Sequence, residues 1–584
     1  MGAAAGPANR GVRFEPGERP PLPAVLGLGL QIAGTPLFVA ILVPTVAFRA
    51  AGADDGLVTW VVFVSLLVCG LTAALQAARF GRIGAGFILA PSVSAAAIAV
   101  AADALRSGGP ALLATLVVSA AVLQLLLSLR LSWLRRILTP TVSATVVLLI
   151  VVNVMPVIYG MLDDVPEGVS PTAAPLAALT TVFVIAAISL KATGVWRLWA
   201  PIAGVVAGAA VAAPFGLYDT TRLAEAAWIA VPEPQWPGLD LTLGSTYWAL
   251  LPAFGFVTLV TTMQAISGVL ASQNVSWRRR RAVDYRSVQN AVATSGVSSV
   301  LAGLSGGISM SSLSTGASVI QITGVASRAV GFAMGAVLAA FAFMPKALNL
   351  ILSVPGAVLG AYIAVLMAIL FAVGLKLLLT DGFDHRKGLI VGLSFWIGLG
   401  FQYDLIFPEL IRDFAGGLLT NGMTSGGLVA ILLTGFMLLT EPRASRLRTD
   451  LDRSAGEDLQ QFLAGFAARS GFGEPMAERL AAVGDEALLT LLSPEGATDR
   501  PGSRRLGVTA RRRGAGATLE FVASTGSENV EDRMALLGDR VDEVSAEREV
   551  SLRLLRHLSS SVRHQQYHDT DVVTVQVDAP EAAD

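Results

Sequence analysis

Long apolar runs separated by short polar links fill the first three quarters of this chain. Runs long enough to cross a hydrocarbon core of roughly 30 Å fall near residues 22–48, 57–78, 110–129, 137–157, 172–192, 196–214, 246–271, 327–344, 357–378, 388–403 and 426–440. Less regular apolar segments lie near 83–102, 288–305 and 309–325, so the pattern predicts fourteen crossings. After Glu441 the chain becomes charged and amphipathic. "LQQFLAGFAARSGF" and "RLAAVGDEALLTLL" carry helical spacing, and "RRLGVTARRRGAGATLEFVAS" reads as a hairpin. "REVSLRLLRHLSSSVRHQQY" reads as a last helix and "DVVTVQVD" as a last strand. The expected organisation is a cytoplasmic tail at 1–21, a membrane domain at 22–441, a linker at 442–458 and a small α/β domain at 459–580.

Charge tests that count. With the N-terminus in the cytoplasm, Arg79, Arg82, Arg130, Arg135, Arg136, Lys191, Arg197, the quartet Arg278 to Arg281, Arg328, Lys376, Arg386 and Lys387 all fall on one side. The opposite loops hold Asp54, Asp55, Asp163, Asp164, Glu167, Asp219, Glu225, Glu233, Asp404, Glu409 and Asp413. This is the positive-inside pattern, and adding or dropping one span destroys it. The Arg quartet is expected to act as a topology anchor.

Composition agrees: 53% hydrophobic, 15% charged and a mean hydropathy of +0.64 exceed what a soluble surface tolerates. A net charge of -1 offers no basic field for nucleic acid. The one cysteine, Cys69, lies in an apolar run and excludes an intrachain disulfide. No cofactor or metal is expected; His564, His568 and Asp571 are read as solvated residues at a helix end.

Two crossings are unlike the rest. "GRIGAGFILAPSVSAAAIAVAADAL", Gly81 to Leu105, and "SMSSLSTGASVIQITGVASR", Ser309 to Arg328, are broken by Gly84, Gly86 and Pro91 and by Gly306, Gly307 and Gly316. Interrupted segments at matching places in two halves mark inverted-repeat transporters, whose broken helices meet near the bilayer midplane. Ser92 and Ser94 on one side, and Ser311, Ser312, Ser314, Thr315 and Ser318 on the other, supply hydroxyls that donate or accept. No Asp, Glu or His lies within a span, since the four histidines are His385, His557, His564 and His568. Proton coupling needs such a group, so the pocket is expected to be electrically neutral.

"GLGLQIAGTPLFVAILVP", "LAGLSGG", "VIQITGVASR", "MPKALNLILSVPGAVLGAYIAVLMAILFAVGL" and "GLVAILLTGFML" together resemble the nucleobase/ascorbate transporter family, the uracil and xanthine permeases, over about residues 20–441. The resemblance implies an all-α polytopic membrane protein with a seven-plus-seven inverted repeat. Crossings one to four and eight to eleven would form a substrate-carrying core, the others a gate or dimerisation domain. It also implies a homodimer in the plasma membrane. Family members carry a glutamate on the eighth crossing, where this chain has Gln264. The tenth-crossing signature is replaced by Thr315, Gly316, Ala317 and Ser318, its preceding aromatic by Leu313, and the first-crossing histidine by Ile32.

The expectation is therefore a permease, not an enzyme, whose substrate meets Gln264, Ser92, Ser94, Leu313, Ser314, Thr315, Gly316 and Ser318. It would move a nucleobase or a related small neutral or anionic solute by an elevator motion without glutamate-based proton coupling. The alternative is a membrane solute sensor signalling through its C-terminal domain. That domain resembles a degenerate histidine-kinase-type ATPase of the anti-sigma factor kinases, with Glu486 and Thr490 where a Glu and an Asn are usual and "STGSEN" lacking the adenine-reading Asp. A cytoplasmic regulatory protein would then be its partner.

Overall fold

A computed structural model describes residues 11–129, 131, 139–163, 169–193, 195–217, 227–279, 281–313, 315–380, 384–409, 419, 421–440, 444–452, 454–492, 505–523, 553–568 and 570–578. They fall into two units, one drawn from residues 10–278 and 287–439, the other from 279–286 and 440–584.

The first unit is helical apart from two short strands. Its elements are α1 (Leu22–Ala50), α2 (Asp55–Ala77), β1 (Ala90–Val93), α3 (Ile98–Leu129), α4 (Pro140–Asn153), α5 (Met155–Asp163), α6 (Ala173–Lys191), α7 (Ala200–Ala212), α8 (Ser245–Val275), α9 (Tyr285–Leu304), β2 (Met310–Leu313), α10 (Thr315–Thr323), α11 (Arg328–Ala342), α12 (Pro345–Leu352), α13 (Gly356–Thr380), α14 (His385–Gln402) and α15 (Gly422–Thr440). Seven helical stretches among the described residues are long and apolar enough to cross a membrane, or eight if α11 and α12, bent by 81°, count as one. At 1.5 Å per residue, the 29 residues of α1 reach about 43 Å. α3 is broken where the third and fourth crossings were expected to separate, at Gly109 before Pro110. Large apolar side chains such as Leu190, 85% exposed, and Phe183, Trp196 and Phe436 stay on the outside. Water would penalise such a surface and lipid does not.

Packing separates the helices into two groups. α1 and α2 pack on β1 and α8 packs on β2, with α11 on α1 and α2 and α3 on α8, while α13 packs on α4, α5 and α6, with α7 on α6 and α14 on α4. Small residues let α2 and α11 approach closely: a Cβ on Gly70 would lie 2.7 Å from the Gly335 carbonyl oxygen. An extended, Pro-rich segment, 227–243, runs over one end of the first group. Its Trp236 indole donates to the Leu304 carbonyl (2.7 Å), its Asp240 amide to Ala111 (3.4 Å) and its Ala230 amide to Phe343 (3.2 Å). Sequence alone predicts only an acidic loop there, marked by Glu233.

In the second unit, β3 (Ser445–Asp450), β4 (Arg505–Arg513), β5 (Gly516–Ala523), β6 (Ser561–Gln566) and β7 (Asp571–Val577) form an antiparallel sheet in the order β3-β4-β5-β7-β6, accompanied by α16 (Ala455–Ser470) and α17 (Glu474–Leu491). Leu459, Leu463, Leu480 and Leu488 from the helices share a core with Leu506, Leu519, Phe521 and Val575 from the sheet. The expected hairpin is β4–β5, turning at Arg513 and Gly516. Two expectations fail here. The presumed linker at 442–458 contains β3, which alternates half-buried and exposed positions against β4. The last expected helix is helical only over 553–558 among the described residues; from Ser561 the chain pairs with β7 instead, because residues at period two can complete the sheet. His564 and Asp571, expected to be solvated, are consequently buried on neighbouring strands at 3.9 Å. Among the described residues no cluster of three metal-ligating side chains exists.

Candidate functional site

Pro91 forbids a continuous helix through the third crossing, and Gly86 and Gly306 take positive φ values of 76° and 86° as the chain enters each interrupted segment. Unwound backbone inside a bilayer must find partners. Here the two interruptions satisfy each other: β1 and β2 pair antiparallel, Ala90 opposite Leu313, Pro91 opposite Ser312, Ser92 opposite Ser311 and Val93 opposite Met310. The Ser94 amide donates to the Ser309 carbonyl (2.9 Å), and the Met310 amide to the Ser299 hydroxyl (3.0 Å). The Ser92 and Ser311 hydroxyls stand 3.4 Å apart, both buried.

Each strand runs directly into a helix start. β1 leads through the short turn Ala95–Ala97 into α3, and β2 leads into α10 at Thr315. First-turn N–H groups and the positive ends of two helix dipoles therefore converge on the strand crossing. α8 lies alongside. An ideal Cβ on its Gly268 would sit 3.8 Å from Leu89 and 3.9 Å from Ser312, and its Ser272 hydroxyl donates to the Ile88 carbonyl (3.1 Å). Gln264 is one turn earlier on the same face, since Gln264, Gly268 and Ser272 are spaced by four. Gly316 lets α10 approach this edge: a Cβ there would lie 2.8 Å from the Ile88 oxygen.

Four buried polar atoms around this crossing have no hydrogen-bond partner: Ser94 Oγ, Ser312 Oγ, Thr315 Oγ1 and Gln264 Oε1. Other buried polar atoms of this unit, among them Ser65 Oγ, Asn153 Oδ1 and Ser394 Oγ, are unpaired as well; what marks the crossing is that four gather at one place, each unmade bond costing about 1–3 kcal/mol. Among the described residues of this unit, no Asp, Glu, His, Lys or Arg is buried. The crossing is thus polar and uncharged.

Of the residues singled out from sequence, Ser92, Ser94, Leu313, Thr315 and Gly316 are gathered on or beside the strand pair. Gln264 faces them from α8, and Ser318 is half-buried on the first turn of α10. Ile32, where the family has a histidine, is buried in α1, which packs on β1. Ser314 lies outside the described residues. Sequence reasoning missed Gly268, Ser272 and Ser299; the four-residue spacing from Gln264 was the available signal for the first two.

Over residues 24–406 the chain matches the model of a permease family. This makes it a multi-pass membrane transporter rather than an enzyme. The chain belongs to the xanthine/uracil permeases, the nucleobase/ascorbate transporter family. It is 26% identical over 442 residues to the xanthine permease XanQ of Escherichia coli, covering 72% of this chain and 92% of that one. It is 25% identical over 443 residues to the uric acid permease PucK of Bacillus subtilis, covering 72% and 97%. Among solved structures, the transmembrane domain of the cyanobacterial bicarbonate transporter BicA aligns with a TM-score of 0.46 and 16% identity, covering 70% of this chain and 97% of that one.

Proposed function

We propose that this protein is a plasma-membrane permease for a nucleobase such as xanthine or uracil, or a related small neutral or anionic solute, bound where β1 and β2 cross. The observation that carries the reading is the set of four orphaned polar atoms at that crossing. An oxo-purine or oxo-pyrimidine offers ring N–H groups to Gln264 Oε1 and carbonyl oxygens to the Thr315, Ser312 and Ser94 hydroxyls. Solute binding would complete the hydrogen bonds of these four atoms. The relatives named as xanthine and uric acid permeases favour this solute class.

The same reading assigns fourteen crossings to a seven-plus-seven inverted repeat with both termini in the cytoplasm. In support, the two interrupted segments pair antiparallel, as two inverted copies would. The helix group around the strands is the moving core of an elevator, and the group around α13 is its gate and homodimer surface. Gln264 and Thr315 carry no exchangeable charge, so the site itself supplies no proton carrier. The C-terminal unit, with a nucleotide site worn down as in a degenerate ATPase, serves to bind a cytoplasmic regulatory protein. Thr490, where an Asn is usual, spends its hydroxyl on the Glu486 carbonyl (2.7 Å).

The test is uptake of radiolabelled xanthine into proteoliposomes, with unlabelled uracil and urate as competitors. Saturable counterflow that survives collapse of the proton gradient is the expected result. No counterflow with any of the three solutes refutes the nucleobase reading, and strict dependence on the gradient refutes the neutral site.

A further inference from the structure

Sequence predicts a cytoplasmic tail at residues 1–21 and a topology anchor in the Arg quartet; residues 11–20 are built into the membrane unit. Val12, Pro16 and Pro20 are buried. Phe14 bridges Val325 in parallel, with the Arg13 and Phe14 amides donating to the Gly324 carbonyl at 2.7 and 3.1 Å. The Ala326 amide donates to the Phe14 carbonyl (2.8 Å), the Arg328 amide to Pro16 (3.2 Å) and the Ser327 hydroxyl to Glu18 (2.6 Å). The arm thus pairs, residue by residue, with the backbone that follows α10.

Its other edge is held by Arg278, just beyond the end of α8. Both Arg278 terminal nitrogens donate to the Glu18 carboxylate, at 2.7 and 2.6 Å, and its backbone amide donates to Glu15 (3.1 Å). Nη2 also donates to the Arg13 carbonyl (2.6 Å). Such a planar fork fixes direction as well as charge, which a lysine would not do. The arm consequently ties the end of α8, the helix of Gln264, to the end of α10, the helix of Thr315. Gln264 lies about three turns before the end of α8 and Thr315 starts the 9-residue α10, so a tie between the two helix ends constrains the separation of these groups.

Resting on the permease reading above, we propose that Arg278 is a positioning residue for solute binding: through Glu18 and the N-terminal arm it fixes the spacing of Gln264 and Thr315 across the site. It never touches the solute.

The experiment pairs amide hydrogen exchange with xanthine uptake for the full chain in proteoliposomes. In the wild type the Ala326 and Arg328 amides, which donate to the arm, are protected. Arg278→Glu should release them and raise KM by about threefold or more, the scale of an exposed ion pair and its network. Vmax per molecule should change less. Arg278→Lys should recover the charge but only part of the KM, and the swap Glu18→Arg with Arg278→Glu should restore both protection and KM. Gly324→Ala reaches the arm without altering charge, because at φ +73° its Cβ would collide with the Gly11 carbonyl; it should reproduce the Arg278→Glu effect. Unchanged protection in Arg278→Glu, or lost protection with unchanged KM, overturns the inference alone. Absence of uptake by the wild type overturns the permease reading and this inference together.

Discussion

Replacing Thr315 by valine distinguishes a hydroxyl kept for solute from one kept for the fold. Valine preserves the β-branched shape, so the start of α10 loses an oxygen and little else. Thr315 Oγ1 is buried without a partner in the protein, a condition that costs about 1–3 kcal/mol. Thr315→Val should therefore leave thermal stability unchanged or raise it. If Thr315 lines the proposed site, the sign reverses with solute present: the lost hydrogen bond, worth about 0.5–1.5 kcal/mol net, lowers affinity about 2- to 12-fold. The lower part of that range is expected, since side-chain hydrogen bonds inside membrane proteins average about 0.6 kcal/mol. Thr294 is the control. Its hydroxyl accepts from the Gly84 amide (2.8 Å) and donates to the Asn290 carbonyl (2.8 Å), so Thr294→Val strands a buried N–H and should destabilise by about 1–3 kcal/mol. The assay is thermal unfolding of purified protein with and without xanthine, alongside the KM of uptake. If Thr315→Val destabilised the protein as Thr294→Val does while leaving KM unchanged, the hydroxyl would be structural and the site would be elsewhere.

Other outcomes follow from the same geometry. Gly316→Val should abolish saturable uptake while the protein still inserts, because even the Cβ would lie 2.8 Å from the Ile88 oxygen and must push α10 off the strand edge; normal uptake would show that this approach is not needed. Gln264→Glu puts an ionisable group where none is buried, so uptake should become dependent on pH and on the proton gradient, which parallel assays at two pH values would register. In the C-terminal unit, burial lowers the His564 pKa to about 4 against an ordinary 6.5, with the nearby Asp571 carboxylate opposing the shift and Arg286 assisting it. A folded pKa below the unfolded one means that the neutral form is bound into the fold. Stability of this unit should accordingly be complete above pH 6.5 and decline as pH falls toward 4, and His564→Asn should flatten that slope in chemical unfolding followed at several pH values.

Much of the membrane architecture is legible in the residue order, because burial in lipid leaves few choices. Apolar runs of bilayer length must be helices, and basic loops must stay on one side. Pro91 and the glycines around it and around Gly306 announced that two crossings could not be continuous helices, and the serines between them announced polar chemistry there. What the order of residues could not say is how those interruptions satisfy their backbones. The register that sets Ser92 against Ser311, and the approach of Gly268 and Ser272 on α8, join residues hundreds of positions apart. No local propensity encodes such a distance. The N-terminal arm makes the same point, since a polar, Pro-rich tail has no pattern that distinguishes a free end from one bonded along its length to Gly324, Ala326 and Arg328. In the C-terminal unit, local pattern placed the β4–β5 hairpin correctly but assigned Ser561–Gln566 to a helix, because a segment of ambiguous period takes the form its neighbours can bond, and here the neighbour is the open edge of β7. Composition and period thus determined the medium, the helices and the polar character of the two interrupted segments, while long-range pairing alone decided which polar atoms were satisfied and which were left unpaired.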